Sequence, residues 1–397
     1  MSVLFCHDHR FVQAADGRVL STGQYDKTVL KRYEDVFGSV WIAGRSRPPK
    51  DEGGELSLSL VMDTPERFIP VSNLSSVNGL VRGPALAEPV LAPALNEVDA
   101  VIARLPSEIG LAALNLARRR GLPSAVEVVA CVWDGLWGHG APFARVYAPL
   151  AYLRMRRAVA EASHAVYVSR DFLQARYPNR RGVCEHVSNV QIPAPDDGCL
   201  EARLQHIHHR PTPSTLGMIA ALFHKSKGID VALKALAEAR AERPDLTLRI
   251  LGPGDPQPWL EEAARLKIED AVTFCGVLPR GAPVLSWLDE IDVYVQTSFQ
   301  EGLPRALIEA MSRAAPALAS AAGGTPELLE PEKLHKPGDH GALARQILSG
   351  LDAGSLVTAA KRNFSVAAEY AKDVLDARRS RFWQDFRETA VARSGAG

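Results

Sequence analysis

Two glutamates, Glu301 and Glu309, lie eight positions apart in the run EGLPRALIEAMSRAAP, and Gly302 follows the first of them. The second falls among Ala306, Leu307, Ile308, Ala310 and Met311, where helical spacing would otherwise give an apolar stripe. A carboxylate in that position can accept two hydrogen bonds from a ribose diol, while an acid in the glycine turn faces the sugar of the same ligand. The plainer alternative is an ion pair between Glu309 and Arg305 on a solvated face, a contact worth about 0.2–0.5 kcal/mol. Residue types alone leave both open. A second group, Lys225, Lys227 and Gly228 in HKSKGID, puts two cations in a short loop ahead of a helix, which suits a phosphate. Lysines that merely solvate a loop are the competing reading, and the glutamate turn in the same half of the chain weighs against it.

Bringing these residues into one cleft requires strands that end beside them. From Leu216 onward the apolar runs LGMIAAL, LTLRIL, AVTFCG, DVYVQTS and PALAS alternate with helical patterns, which predicts a doubly wound parallel sheet. The turn FQEGL then joins the strand DVYVQTS to a helix with Pro304 at its first position. Such turns sit at the carboxyl ends of the strands, where free N–H groups of a helix start can meet an anion. The first half repeats the pattern less regularly, with strands near SVLFC, SVWIAGR, RFIPVS, AVIARLP, AVEVVAC and AVYVS, and reads as a second parallel sheet. Between the halves, NVQIPAPDDGCLEARLQHIHHRPTPS is poor in periodicity and reads as an interdomain connection. The expected organisation is an amino-terminal domain over 1–195, a carboxyl-terminal domain over 196–365 and a helical tail over 366–397 that packs through Phe382, Trp383 and Phe386.

The bulk numbers agree with two lobes, since 397 residues exceed one ordinary core and fit domains of roughly 150–200 residues. With 46% hydrophobic and 23% charged residues the chain is expected to fold as a soluble globular protein. Its 46 cationic side chains equal its 46 anionic ones, so no global field favours nucleic acid. Cys6, Cys131, Cys184, Cys199 and Cys275 form neither a CxxC pair nor a metal spacing, which suits reduced thiols and a cytoplasmic location. The start MSVLFCHDHRF has too short an apolar run for a signal peptide, and no uncharged apolar run approaches the roughly 18–20 residues of a bilayer span. Any membrane contact is therefore expected to be peripheral, on the inner face. The basic run YLRMRRAVAEA and the triplet Arg118, Arg119 and Arg120 offer such a contact to anionic lipid head groups, against the plainer reading of a solvated helix face. His7 and His9, in HDHRF after the first strand, lack the partners that metal ligation needs, so no metal is expected.

From Leu216 to about Glu330 the chain resembles the nucleotide-sugar domain of family 4 retaining glycosyltransferases with the GT-B fold. Lys227-Gly228 stands where that family carries KG, Glu301 and Glu309 match its E-x7-E motif, and GGTPELLE matches the usual continuation. The likeness in the first half, through DAVIARLPSEIGLAALNLARRRGLP and VSNV, is looser. The resemblance implies an α/β, GT-B architecture: two Rossmann-like doubly wound parallel-sheet domains facing a cleft, with a C-terminal helix crossing back to the first. It implies transfer of a hexose-type sugar from a UDP- or GDP-sugar donor to a hydroxyl of a carbohydrate or lipid-linked acceptor. Anomeric configuration would be retained, no cofactor or metal would be required, and the setting would be polysaccharide or lipopolysaccharide assembly. Glu309 would hold the ribose, Glu301 the donor-sugar hydroxyls and Lys227 the diphosphate, with Gly302 and Leu303 offering N–H groups beside Pro304. His7, with Asp134 and His139 in VWDGLWGHG, would lie on the acceptor side.

Three positions depart from that pattern. Ala220, Ala221 and Leu222 stand where the family usually has an arginine, and Lys225 is the expected substitute. Arg104 stands where many relatives carry a histidine near the transferred sugar, and binds either an anionic group or a domain-interface carboxylate. Ala314 and Ala315 replace a usual glycine ahead of Pro316. Two other classes compete: a nucleotide-sugar epimerase or hydrolase, which an acceptor requirement would exclude, and an inactive nucleotide-sugar-binding paralogue, motivated by the missing arginine. A nicotinamide dehydrogenase is disfavoured because GPGD at 252–255 lacks the three-glycine spacing.

Overall fold

The computed structural model describes residues 1–14, 16–22, 25–47, 58–138 and 142–394. The first sheet comprises β1 (Ser2–Gln13), β2 (Val19–Thr22), β3 (Ser39–Arg47), β4 (Leu58–Met62), β5 (Phe68–Val71), β6 (Ala100–Leu105), β7 (Ser124–Val128), β8 (His164–Tyr167) and β9 (Val183–His186). Seven of these run parallel in the order β5–β3–β1–β6–β7–β8–β9. β2 pairs antiparallel with the distal part of β1, and β4 with β2. The second sheet comprises β10 (Thr215–Ile219), β11 (Thr247–Leu251), β12 (Val272–Phe274), β13 (Val293–Gln296), β14 (Ala317–Ser320) and β15 (Leu334–His335), all parallel in the order β12–β11–β10–β13–β14–β15. Both are doubly wound, and the order reverses between β1 and β6 in one and between β10 and β13 in the other. Ligands of open α/β sheets sit at such reversals.

The local sequence explains these elements. β13 and β14 are buried at every residue, as a parallel sheet covered on both faces requires. The helix Ile229–Arg240 buries Ile229, Ala232, Leu233 and Leu236 on one stripe, the spacing of an amphipathic helix. The tail forms the helix Lys372–Ser394, which crosses back to the first domain. There Trp383 lies 5.5 Å from Tyr33 and Phe386 lies 6.0 Å from Phe37, ring centre to ring centre, with Phe382, Trp383 and Phe386 all buried.

Three elements differ from the sequence reading. β1 runs on through HDHRF to Gln13, and its register with β3 shifts between Cys6 and Arg10, so the two histidines lie within a strand at an irregularity rather than after it. The connecting segment contains the helix Asp197–His209, whose periodicity was obscured because its middle buried position is an arginine. Arg203 stands between Cys199 and Ile207 and donates to the carbonyls of Ile291 at 2.5 Å and Leu288 at 2.8 Å. Pro304 precedes the helix Arg305–Ser312 in an extended conformation instead of occupying its first turn.

Candidate active site

The lysine loop is fixed by backbone geometry. Gly228 has φ +68°, and a Cβ there would lie 2.1 Å from the carbonyl oxygen of Thr297, so any other residue is both strained and obstructed. Thr297 Oγ1 donates to the Gly228 carbonyl at 2.8 Å, and the Phe299 N–H donates to the Ser226 carbonyl at 2.8 Å. The loop after β10 is thereby fastened to the loop after β13. Gly228→Ala is expected to destabilise the protein by at least about 2 kcal/mol, read as a lowered melting midpoint.

This fastening brings Lys227 to Glu301. Lys227 Nζ lies 2.6 Å from Glu301 Oε1, which also accepts from Gln296 Nε2 at 2.9 Å and Ser298 Oγ at 2.8 Å. Gln296 is held in turn by the buried Tyr294, whose hydroxyl donates to Gln296 Oε1 at 2.9 Å. All three contacts to Glu301 converge on one oxygen, fixing the carboxylate plane while its second oxygen keeps its acceptor capacity. Gln296 and Ser298 were missed in the sequence; the available signal was a glutamine at the end of an otherwise apolar strand.

Glu309 sits farther along the helix Arg305–Ser312. Among the described residues no ion pair within 4.0 Å joins it to Arg305, so the simple surface pair is not formed. Burial raises its carboxyl above the ordinary value, while the charges of Arg305 and Arg280 pull it back. Burial likewise lowers the Arg305 guanidinium, with Glu309 acting against it and Arg280 and Arg104 reinforcing it. A carboxylate under the charges of two arginines is an electrostatic environment for an anionic, hydroxyl-bearing ligand. Arg280 was also missed, because it follows β12 and only the fold brings it near Glu309. Lys225 is exposed, and no ion pair within 4.0 Å engages it among the described residues.

The turn holding Glu301 touches the first domain. A Cβ on Gly302 would lie 2.2 Å from the Val129 carbonyl oxygen, and the Gly324 N–H donates to the Gly302 carbonyl at 2.9 Å. In GGTPELLE, Glu327 accepts from the N–H groups of Arg170, Asp171 and Phe172 at 2.6, 3.1 and 2.7 Å, all of them in the first domain. Leu303 and Pro304 are buried just before the helix, whose N-terminus has no side-chain cap. Those first N–H groups are the unsatisfied donors that an anion can take up.

In the first domain, Arg104 pairs with a carboxylate, that of its strand neighbour Glu127. Its Nη1 lies 2.8 Å from Glu127 Oε2, both side chains are nearly buried, and Tyr33 donates to the other Glu127 oxygen at 2.5 Å. The guanidinium is committed to a carboxylate within its own domain. His7 Nδ1 lies 3.1 Å from the Arg104 carbonyl, which can only accept, so Nδ1 carries the proton and Nε2 keeps its lone pair. Burial, followed by the Arg104 charge, lowers the His7 pKa from 6.5 to about 3, leaving the ring neutral near pH 7. Between those pH values the unfolded chain binds a proton that the folded chain does not, so this group's contribution falls as pH drops from 6.5 toward 3. His7→Asn is expected to flatten that acid limb in melting midpoints measured from pH 7 to 4.

Asp8, beside His7, accepts from Ser107 Oγ at 2.7 Å and the Ile109 N–H at 3.0 Å, a structural cap for the helix Glu108–Arg119. Asp134 lies 3.6 Å from Arg176 on the short helix Val132–Gly138, which faces Gln300 through Gly135. His139 lies outside the described residues. Among the described residues no group of three or more His, Cys, Asp or Glu side chains is arranged to hold a metal ion.

The class defined by the two facing doubly wound domains and the returning tail helix is the GT-B architecture. Residues 213–353 match the family described as glycosyl transferases group 1, so the second half carries a glycosyltransferase domain. Protein CapJ of Staphylococcus aureus is 28% identical over 340 residues, 85% of this chain and 83% of that protein. The putative colanic acid biosynthesis glycosyltransferase WcaL of Escherichia coli (strain K12) is 33% identical over 166 residues, 38% of this chain and 40% of that protein. Among solved structures, Anabaena HepE in complex with UDP and glucose superposes with a TM-score of 0.62 at 17% identity, covering 98% of this chain and 99% of that one.

Proposed function

We propose that the protein is a retaining, metal-independent glycosyltransferase that moves a hexose-type sugar from a UDP- or GDP-sugar to a carbohydrate or lipid-linked acceptor. The observation that carries this reading is the gathering of Lys227, Glu301 and Glu309 with two further cations, Arg305 and Arg280, at the β10/β13 reversal. Lys227 and the N-terminus of the helix Arg305–Ser312 receive the diphosphate, Glu309 accepts from the ribose, and Glu301 accepts from donor-sugar hydroxyls through its second oxygen. Arg305 and Arg280 supply the charge that the absent arginine at Ala221 does not, a role for which Lys225 is the alternative. In the transfer, the bond from the anomeric carbon to the diphosphate oxygen breaks and the acceptor oxygen bonds to the same face of that carbon. The acceptor proton passes to the departing phosphate oxygen. Fixed cations and N–H groups aimed at the developing negative charge stabilise that transition state.

The relative named for colanic acid biosynthesis supports a setting in polysaccharide assembly. The HepE complexes with UDP and with UDP-glucose favour a UDP-sugar. Calorimetric titration with UDP, GDP and ADP, with and without EDTA, tests the reading: saturable binding of one nucleotide that survives EDTA is expected. Failure of all three to bind would overturn it.

A further inference from the structure

The helix Pro142–Glu161 is apolar on two sides. Ala144, Ala148, Ala151, Met155 and Val159 are buried against the domain. On the outward face Phe143, Val146, Leu150 and Leu153 repeat at intervals of three and four and remain 47%, 79%, 54% and 60% exposed. A surface helix ordinarily turns polar residues outward, and a continuous apolar stripe marks a surface that something covers.

Cations frame the stripe. Its next position is Arg157, with Arg156 beside it, and near its start the Arg145 guanidinium lies 5.7 Å over the half-exposed ring of Trp137. At the far end of the helix, Arg156 and Arg157 line an open cavity of about 1170 Å³ together with Arg118, Arg180, Arg181 and Arg393. Glu161 is the sole carboxylate among the described lining residues, shared by Arg118 at 2.8 Å and Arg157 at 2.7 Å. Since charges over the whole chain balance, 46 against 46, this concentration of arginine is local.

We propose that this face docks on an anionic phospholipid bilayer, with the apolar stripe entering the boundary between head groups and acyl chains and the arginines meeting lipid phosphates. Charge selects this occupant. Six arginines line the cavity at the far end of the helix against the one carboxylate of Glu161, an excess of positive charge that anionic lipid neutralises. No helix among the described residues is long and apolar enough to cross a membrane, so the helix lies in the interface plane. The neighbouring helix Val132–Gly138 meets Gln300 through Gly135, which places the stripe next to the cleft. The surface stands on its own residues and does not depend on the transferase reading.

Co-sedimentation of the full chain with vesicles of phosphatidylcholine, alone or with about one third phosphatidylglycerol, is the test. Partition into the mixed vesicles and not the neutral ones is expected. Val146→Ser/Leu150→Ser should weaken that partition at least about tenfold, and Arg156→Gln/Arg157→Gln about tenfold or more. Both variants should keep the melting midpoint, because all four side chains face outward. No partition into the mixed vesicles, equal partition into both, or double variants that partition like the parent would each overturn the proposal. So would a solution dimer, seen by light scattering, that Val146→Ser/Leu150→Ser dissociates.

Discussion

Glu301→Gln is expected to lower turnover about a hundredfold or more while nucleotide binding persists. The substitution keeps an acceptor oxygen for Gln296 and Ser298, which hold the native carboxylate at 2.9 and 2.8 Å, so the turn keeps its shape. It removes the charge that faces Lys227 at 2.6 Å and replaces the remaining acceptor oxygen with an amide donor. Donor-sugar hydroxyls then meet a donor where they need an acceptor, and the anomeric carbon loses its alignment. Lys227, released from its partner, still reaches the diphosphate, so the dissociation constant of the nucleotide should hold or tighten. Single-turnover assays alongside calorimetry separate the outcomes. Unchanged turnover would refute the sugar-binding role, and joint loss of turnover and nucleotide affinity would move Glu301 to the nucleotide.

The parts of this site that are legible in the sequence are those whose physical demand is local. Gly228 is needed for its own positive φ and its approach to Thr297, and Glu301 and Glu309 are displayed by a single strand-turn-helix. Five strands of the second sheet are legible as alternating apolar runs in the same way, whereas the two-residue β15 is not. What escapes is carried by register and by contacts across the fold. Arg280 reaches the neighbourhood of Glu309 only after the second domain closes, and Glu327 caps backbone N–H groups more than 150 positions away in the first. The helix Asp197–His209 escapes for a different reason, since a buried arginine that satisfies three carbonyls looks like a polar residue to any periodicity. The apolar outward face of Pro142–Glu161 escapes too: with both faces apolar, the pattern shows neither a clear stripe nor a solvated surface.

Arg104→Met is expected to destabilise the protein by about 3–5 kcal/mol, whereas Arg104→Met/Glu127→Gln should recover a good part of the loss. Arg104 and Glu127 are register partners on the parallel neighbours β6 and β7, with side chains only 11% and 8% exposed. Removing the cation leaves a nearly buried carboxylate with Tyr33 as its remaining donor at 2.5 Å, whereas a glutamine in its place is neutral and still accepts from the buried Tyr33 hydroxyl. In a domain of this size the single variant should lower the melting midpoint by about ten degrees in calorimetry. The pair of variants also decides what Arg104 does for the reaction. If its guanidinium serves only to brace the strand end, whose carbonyl orients His7 at 3.1 Å, the double variant keeps turnover within about a factor of ten, because backbone geometry survives. A double variant that melts like the parent yet has lost transfer would instead assign Arg104 to the donor anion, and would require the Glu127 pair to open when the donor binds.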